Sequence, residues 1–214
     1  LGDIISSTEI AGPGFINLVF ADAFVARELA ALSADPRLGV RFTPTPRRVV
    51  VDYSAPNVAK EMHVGHLRST VIGDSIVRLV EFAGNAVVRE NHIGDWGTQF
   101  GMLIEHLMDM GEAQAAHELG LGDLDAFYKE ARRKFDADEA FKTRARERVV
   151  ALQGGDAETL RLWRSLVSLS TEYFNKVYRQ LDVLLTDGDL MGESAYNDLL
   201  DPVIERLRIA GILE

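Results

Sequence analysis

Cysteine is absent from this sequence of 214 residues, and several patterns that indicate familiar classes of site are absent too. Without cysteine there are no disulfide bonds and no thiolate metal ligands, which predicts a reducing compartment, the cytoplasm. No apolar run is long enough to span a bilayer, so no membrane partner is expected. Neither a Gly-x-x-x-x-Gly-Lys-Ser/Thr run nor a Gly-x-Gly-x-x-Gly run after a strand occurs, which excludes a P-loop and a dinucleotide fingerprint.

Acidic residues outnumber basic ones, and the net charge of −10 argues against a generally basic surface for nucleic acid. The stretch 36–51 nevertheless lacks Asp and Glu altogether. It carries four arginines, Arg37, Arg41, Arg47 and Arg48. This stretch is either an ordinary solvated linker or a contact for a phosphate backbone. Between Lys129 and Arg148, eight basic and five acidic residues are mixed, which predicts a solvated helix face.

The amino-terminal part of the chain contains two short elements and a linker. A Gly-Pro-Gly turn at 12–14 is followed by an alternating strand to Phe20. Asp22 is the predicted N-cap of an Ala-rich helix that ends near Ser33. Thr43–Pro46 predicts an extended linker, because a residue that precedes proline is pushed out of the α region. We expect a domain boundary there.

The middle of the chain shows a β-α-β pattern. Arg48–Asp52 is a short apolar strand of the kind that is buried on both faces of a parallel sheet. A helix from Val64 to about Ala83, ended by Gly84 and Asn85, leads to a second strand, Ala86–Glu90. Seven apolar residues at helical spacing are expected to be buried: Leu67, Val71, Ile72, Ile76, Leu79, Val80 and Ala83. The pattern predicts a parallel, right-handed crossover.

The remainder of the chain is predicted to be helical. Phe100, Leu103, Ile104, Leu107 and Met108 form one apolar face of the first helix. Asp123 and Asp156 are predicted to cap later helices, and Ser194 to cap a last helix that reaches Ile209. A turn is expected at Asp187-Gly188. The long helix after Asp156 has six inner-face residues: Leu160, Trp163, Val167, Phe174, Val177 and Leu181.

Two polar loops follow the two strands, at 53–63 and at 91–99. The carboxyl ends of neighbouring parallel strands meet at one edge of an open α/β sheet, and ligands bind at that edge. The first loop brings His63 and His66 to the amino-terminal end of a helix, where free N–H groups and positive potential favour phosphate. Gly65 adds bare backbone, and Lys60 adds a mobile cation. A metal site at these histidines is the alternative, but no third ligand is clearly placed.

Two long motifs carry a family resemblance. The run from Tyr53 to Thr70 reads Tyr-Ser-Ala-Pro-Asn-Val-Ala-Lys-Glu-Met-His-Val-Gly-His-Leu-Arg-Ser-Thr. It resembles the signature of class I aminoacyl-tRNA synthetases in the arginyl-tRNA synthetase form. The run Asn-His-Ile-Gly-Asp-Trp-Gly-Thr-Gln-Phe-Gly from Asn91 to Gly101 resembles the next landmark of that family. The order and spacing of the motifs also fit, and the resemblance extends from about Ile10 to the end of the chain.

The resemblance implies an α/β fold built on the first half of a Rossmann-like parallel sheet, with a helical insertion and the tail of a small α+β N-terminal domain. Residues 1–46 are then the end of a tRNA-binding domain plus its linker. Residues 47–110 are the first part of the catalytic domain, and 111–214 are mainly its helical insertion and continuation. We therefore expect a fragment that lacks the start and the C-terminal part of a longer protein.

The resemblance also implies roles for individual residues. ATP binding falls to Lys60, His63, Gly65 and His66, of which Lys60, His63 and His66 are also catalytic. Arginine binding falls to Asp52, Ser54 and Asn57, and a carboxylate such as Asp52 is the natural bidentate partner of a guanidinium. The alternatives are that Asp52 is a surface acid at the end of its strand and that Asn57 is a turn residue after Pro56.

The second loop supplies three further candidates for the pocket, Asp95, Trp96 and Gln99. Trp96 either forms a wall of the site or packs in the core, and Asp95 is alternatively a helix cap. Gln99 is expected to face the same pocket if its helix starts at Gly97.

The implied activity is ATP-dependent formation of arginyl-adenylate from L-arginine, followed by transfer of the arginyl group to tRNA(Arg). Mg²⁺ would arrive with the ATP, no structural zinc is expected, and the protein is expected to be a monomer. The fragment alone is expected to be inactive, since no Lys-Met-Ser-Lys-Ser-like loop occurs in it. The alternatives are a non-catalytic module that binds tRNA or a protein partner, and a nucleotidylyltransferase of the His-x-Gly-His type.

Overall fold

The computed structural model describes residues 2–111, 114 and 124–213. The chain falls into two compact units. The first comprises Leu1–Pro46 with Phe82–Gly84, and the second comprises Arg47–Glu81 with Asn85–Glu214. No helix among the described residues is long and apolar enough to cross a membrane.

The first unit contains an antiparallel hairpin followed by a helix. Strands β1 (Ile5–Ala11) and β2 (Phe15–Phe20) pair on either side of the predicted glycine turn, and α1 spans Asp22–Ala34. The sequence did not indicate β1, because most of its residues are polar. The predicted cap is wrong by one position: Ala21 is the N-cap, with no side-chain cap bond, and Asp22 already lies in the first helical turn.

The second unit is an α/β structure with a parallel sheet, which confirms the predicted fold class; the strand order is β3-β4-β5, and β5 was not predicted. Strand β3 (Arg48–Asp52) pairs with β4 (Ala86–Ile93), which pairs with the short strand β5 (Leu190–Gly192). Strand β4 is three residues longer than predicted, so the second polar loop starts at Gly94. Burial of β3 on both faces is wrong, since Val50 is 63% exposed and β3 lies at the edge of the sheet.

Helix α2 (Val64–Phe82) has the predicted length but buries a different face. Its buried residues are Thr70, Gly73, Asp74 and Val77. The predicted inner residues Val71, Ile72, Ile76 and Leu79 are 44–67% exposed. Close packing explains this choice: a Cβ atom on Gly73 would lie 2.3 Å from the Tyr53 Cβ atom, so only a glycine face fits against that ring. Gly84, with a φ of +92°, ends the helix as predicted.

Four helices form the main hydrophobic core of the second unit: α3 (Gln99–Met110), α4 (Leu124–Ala137), α5 (Glu139–Gln153) and α6 (Ala157–Gln180). Phe100, Leu103, Ile104 and Leu107 are buried as predicted, whereas Met108 is 43% exposed. A Cβ atom on Gly101 would lie 2.1 Å from the Ala145 carbonyl oxygen, so this glycine permits close contact between α3 and α5.

One of the three helix caps predicted in this unit is confirmed. Asp156 caps α6 and accepts a hydrogen bond from the Thr159 N–H at 2.9 Å, as predicted. Asp123 lies outside the described residues. Ser194 is not a cap, because it lies in the 3₁₀ segment Glu193–Leu199, and the last helix, α7, spans Leu200–Ile209. The predicted turn at Asp187-Gly188 is a short 3₁₀ segment.

The inner face of α6 is shifted from the predicted one. Phe174 is buried as predicted, but Leu181 is 41% exposed. Leu160, Trp163, Val167 and Val177 are half-buried and pack against the core. The fully buried stripe instead includes two polar residues, Ser170 and Tyr178, which make hydrogen bonds to loops of the sheet.

Candidate functional site

The two histidines of the first motif stack against each other at the start of α2. Their ring centroids are 3.8 Å apart with an interplanar angle of 22°. The Gly65 N–H donates to His63 Nδ1 at 3.1 Å, and the His63 N–H donates to His66 Nδ1 at 3.3 Å. Since each Nδ1 accepts, a neutral ring must carry its proton on Nε2. Both imidazoles therefore present an Nε2–H donor at a helix N-terminus.

The environment of His66 favours its neutral form. Burial lowers the pKa of the imidazole, and the neighbouring His63 and Lys60 lower that pKa further. An anion bound at this place would reverse the effect, because negative charge stabilises the imidazolium. The pair of rings is therefore suited to meeting a phosphate.

Gly65 leaves room for the His63 ring. A Cβ atom at this position would lie 2.8 Å from the ring Cε1 atom, so any larger residue would push the ring away. The two histidine rings can therefore stack only because residue 65 is a glycine.

Lys60 points towards the helical layer. Its ammonium lies 4.4 Å from the centroid of the Tyr128 ring on α4, within the range of a cation–π contact. The preceding residue, Ala59, is buried with a φ of +58°, and its N–H donates to Ser170 Oγ on α6 at 2.9 Å. The backbone that carries Lys60 is therefore tied to α6.

The turn after β3 places the arginine candidates Ser54 and Asn57 in different settings. Ser54 is buried and has a φ of +78°. Its hydroxyl lies 2.7 Å from the Tyr178 hydroxyl and 2.9 Å from that of Thr70, so it is engaged within the protein. Asn57 is half-buried and forms a parallel bridge with Gly94. A Cβ atom on Gly94 would lie 2.4 Å from Asn57 Oδ1, so the glycine leaves room for the amide.

Asp52 ends β3 with a half-exposed carboxylate. One oxygen lies 3.2 Å from His92 Nδ1 on β4, and the opposite ring nitrogen, Nε2, is 2.6 Å from the Tyr196 hydroxyl. The His92 and Tyr196 rings also stack, with centroids 5.7 Å apart. His92 was visible in the second motif, but nothing in the sequence links it to Asp52 or to Tyr196.

Asp95 is buried and links two loops through hydrogen bonds. Its two carboxylate oxygens accept from the Ser194 N–H at 2.9 Å and from the Ser194 hydroxyl at 2.7 Å. The alternative that Asp95 caps α3 is wrong, because α3 starts at Gln99 after Thr98. Trp96 packs edge to face on Trp163, with centroids 5.6 Å apart, and the Trp163 indole N–H donates to the Asp95 carbonyl oxygen at 2.7 Å.

Gln99 lines a cleft of about 520 Å³ formed by α3, α4 and α5. Its helix starts at Gln99 and not at Gly97, so the stated condition for Gln99 to face the histidine pocket is not met. The cleft is also lined by Thr98, Tyr128, Arg132 and Arg146. Tyr128 also contacts Lys60 and so links this cleft to the first motif.

Three polar residues that sequence reasoning missed connect these parts. Tyr178, Thr70 and Asn91 are each at most 2% exposed. Asn91 Nδ2 donates to the Tyr178 hydroxyl at 3.1 Å, and Asn91 Oδ1 accepts from the Ala55 N–H at 3.0 Å. In the sequence, Tyr178 is recognisable as a polar residue that continues the buried face of α6, but the sequence alone does not identify its partners.

Comparison with known proteins agrees with the motifs. The family described as "tRNA synthetases class I (R), catalytic domain" matches residues 29–214. An arginine–tRNA ligase of Thermobifida fusca is 57% identical over 99% of this chain, and one of Alteromonas mediterranea is 53% identical over 99%. The chain spans only 37% and 36% of those relatives. The crystal structure of a Plasmodium falciparum arginyl-tRNA synthetase matches 96% of this chain and 36% of its own, with 31% identity and a TM-score of 0.65.

Proposed function

Since this chain belongs to the arginyl-tRNA synthetase family of class I, we propose that the protein is an arginine–tRNA ligase and that this chain forms part of its site for ATP and L-arginine. In the first step, a carboxylate oxygen of arginine attacks the α-phosphorus of ATP, and pyrophosphate leaves. In the second, a ribose hydroxyl at the end of tRNA(Arg) attacks the arginyl carbonyl carbon, and AMP leaves.

The stacked histidines are the observation that carries this proposal. Two Nε2–H donors at the N-terminus of α2 suit the charge that grows on the α-phosphate oxygens as pyrophosphate departs. We assign this role to His63 and His66, with Gly65 as the residue that makes room for the stack. Lys60 joins them by turning from Tyr128 towards the phosphates.

Asp52 and Asn57 are assigned to the amino acid. The half-exposed Asp52 carboxylate can accept two hydrogen bonds from a guanidinium, and the Asn57 amide can hold the polar backbone end. Ser54 is assigned a supporting role, since its hydroxyl is buried among protein partners. Asp95 and Trp96 are likewise assigned to holding the second loop in place.

Mg²⁺ enters this scheme with the nucleotide. The described residues contain no group of three or more His, Cys, Asp or Glu side chains that could hold a metal ion by themselves. Such an ion would be held by the phosphates of ATP, whose negative charge it would neutralise.

The proposal extends to the parts of the chain. We assign residues 1–46 to the end of a tRNA-binding domain, 47–110 to the first part of the catalytic domain and 111–214 to its insertion and continuation. The division into units at Pro46 and Arg47 supports the first boundary. We further propose that the complete protein works as a monomer in the cytoplasm.

Arginine-dependent exchange of pyrophosphate into ATP by the complete protein tests the activity. His63→Asn and His66→Asn should each reduce kcat by about 10²- to 10³-fold, because each removes a donor to the developing charge. Lys60→Met should also reduce kcat, whereas Lys176→Met, the same change at an exposed site on α6, should leave it unchanged.

Exchange that does not depend on arginine, or histidine variants with the kcat of the wild type, would refute the proposal. A thermal shift measurement separates the alternatives. A ligase should gain stability from ATP and from arginine, a nucleotidylyltransferase from ATP without arginine, and a non-catalytic module from neither.

A further inference from the structure

We propose that Tyr178, on α6, is a positioning residue that holds the histidine pair and the turn before Asn57 in place through a series of buried hydrogen bonds. The inference rests on the proposed function for its kinetic test. The Tyr178 hydroxyl bonds to Ser54 and to Asn91, and it acts on His66 and on Asn57 through them.

The chain of hydrogen bonds crosses four elements of the second unit. It runs from Asn91 on β4 to Tyr178 on α6 at 3.1 Å, and then to Ser54 at 2.7 Å. Ser54, in the turn after β3, is 2.9 Å from Thr70 on α2, and the Thr70 hydroxyl is 2.7 Å from the His66 carbonyl oxygen. The four side chains that make these hydrogen bonds are at most 3% exposed, so water does not substitute for a lost partner.

The two ends of this series have fixed hydrogen-bonding roles. Asn91 Oδ1 accepts from the Ala55 N–H, so Nδ2 must face Tyr178, and it can only donate. The His66 carbonyl oxygen can only accept, and the Thr70 hydroxyl can donate either to it or to Ser54 Oγ. Either hydroxyl of the Ser54–Tyr178 pair can be the donor. Burial raises the pKa of Tyr178, so its phenol keeps its proton.

Tyr178 therefore acts on two places at once. Through Ser54 and Thr70 it fixes the first turn of α2, which carries the stacked histidines. Through Asn91 it fixes the Ala55 N–H, in a turn where both Ser54 and Ala55 have positive φ values of 78° and 48°. That turn leads directly to Asn57. Such backbone conformations are unfavourable for these residue types, so they need external hydrogen bonds to hold them.

The test is Tyr178→Phe in the complete protein, which removes one oxygen and leaves the ring. The chain then breaks in the middle, and Asn91 Nδ2 loses its acceptor. We expect kcat for pyrophosphate exchange, per titrated active site, to fall about tenfold to hundredfold, with KM for ATP changed less than threefold, because misplaced groups impair the transition state most. Ser165→Ala also removes one hydroxyl from α6, at a place where it donates only locally to the Arg161 carbonyl oxygen, and it should change kcat less than twofold.

A double-mutant comparison adds a second test. Thr70→Val, which is nearly isosteric, should reduce kcat in the same way, and the double variant should lose no more than the larger single loss, since both act on one chain. Thr70→Val alone provides the answer if Tyr178→Phe does not fold. Losses that multiply, or variants whose kcat per titrated site equals that of the wild type, would overturn the inference.

A measurement without substrates keeps this inference separate from the proposed activity. Histidine-selective NMR should show that Tyr178→Phe changes the chemical shifts and the pKa of His66, while Ser165→Ala does not. A wild type without exchange activity but with these shifts would refute the ligase and keep the positioning role. Unchanged His66 signals in an active enzyme would refute the positioning role.

Discussion

At the scale of single residues, glycines decide where the candidate side chains can lie. A Cβ atom on Gly94 would come within 2.4 Å of Asn57 Oδ1, and one on Gly192 within 2.2 Å of a carboxylate oxygen of Asp95. Separations this short force one of the two groups to move. Asn57 and Asp95 can therefore occupy these positions only because residues 94 and 192 are glycines.

Gly94→Ala should displace the Asn57 amide and weaken arginine binding. We expect KM for arginine in pyrophosphate exchange to rise about tenfold or more, the equivalent of 1.4 kcal/mol, with a smaller change in KM for ATP. The matched control is Gly188→Ala, whose new methyl would lie 3.6 Å from Thr186 Oγ1 in ordinary contact. An unchanged KM for arginine in Gly94→Ala would disprove the assignment of Asn57.

His66 should titrate below its ordinary pKa of 6.5, because burial, His63 and Lys60 all disfavour its charged form. Protonation then favours the unfolded chain. The contribution of His66 to stability is complete above pH 6.5 and is lost as the pH falls through the lowered folded pKa. NMR titration should show that low pKa, Lys60→Met should raise it, and ATP should raise it further. An ATP-insensitive pKa would argue against phosphate at this site.

At the scale of elements, the helical layer is held by a buried carboxylate as well as by its apolar core. Glu105 on α3 is 5% exposed and accepts from Arg144 at 2.8 Å and from Arg148 at 3.1 Å, both on α5. Arg148 also donates to Thr159 on α6 at 2.9 Å. A single acid thus joins three helices, because a buried charge is tolerated only with partners on every side.

Glu105→Ala should lower the free energy of unfolding by about 2 to 3 kcal/mol, since it leaves Arg148 partly buried without its carboxylate. The loss of the bond to Arg144 adds little, because solvent screens that half-exposed guanidinium. Chemical denaturation measures the change. Glu130→Ala is the control, because it removes an exposed pair with Arg133 on one helix, and it should cost much less than Glu105→Ala. Equal costs for the two variants would show that the buried network is not stabilising.

At the scale of the whole molecule, the outer face of α2 is apolar and exposed. The exposed residues of this face are Val71, Ile72, Ile76 and Leu79, with exposures between 44% and 67%.

The chain spans only 36–37% of the two relatives described above. The histidine motif and its supporting loops lie in this chain, and the reaction is proposed for the complete protein.

The 214-residue chain by itself should show no arginine-dependent pyrophosphate exchange, whereas the complete protein should show it. The physical reason is that positioning of both substrates needs groups on more than one side of the reacting phosphate. Isothermal titration of the isolated chain with ATP would show whether the histidine half alone retains any affinity. Measurable exchange by the isolated chain would contradict this prediction directly.

The sequence by itself determined the local structure and the class of the site. The positions of β3, α2 and α3, the glycine after α2 and the cap at Asp156 are short-range features, because hydrogen bonds and steric limits within a few residues set them. The two motifs identified the family for the same reason: a particular chemistry requires particular residues at close spacing along the chain.

Only the tertiary structure decided which faces are buried and which polar groups meet. The apolar stripe of α2 predicted burial, but Gly73 and Asp74 form the packed face, because contact with the Tyr53 ring needs a residue without a side chain. Asp95 meets Ser194 across 99 positions, and Tyr178 meets Ser54 across 124. Such pairings depend on how separate elements pack, and no local pattern in the sequence records that packing.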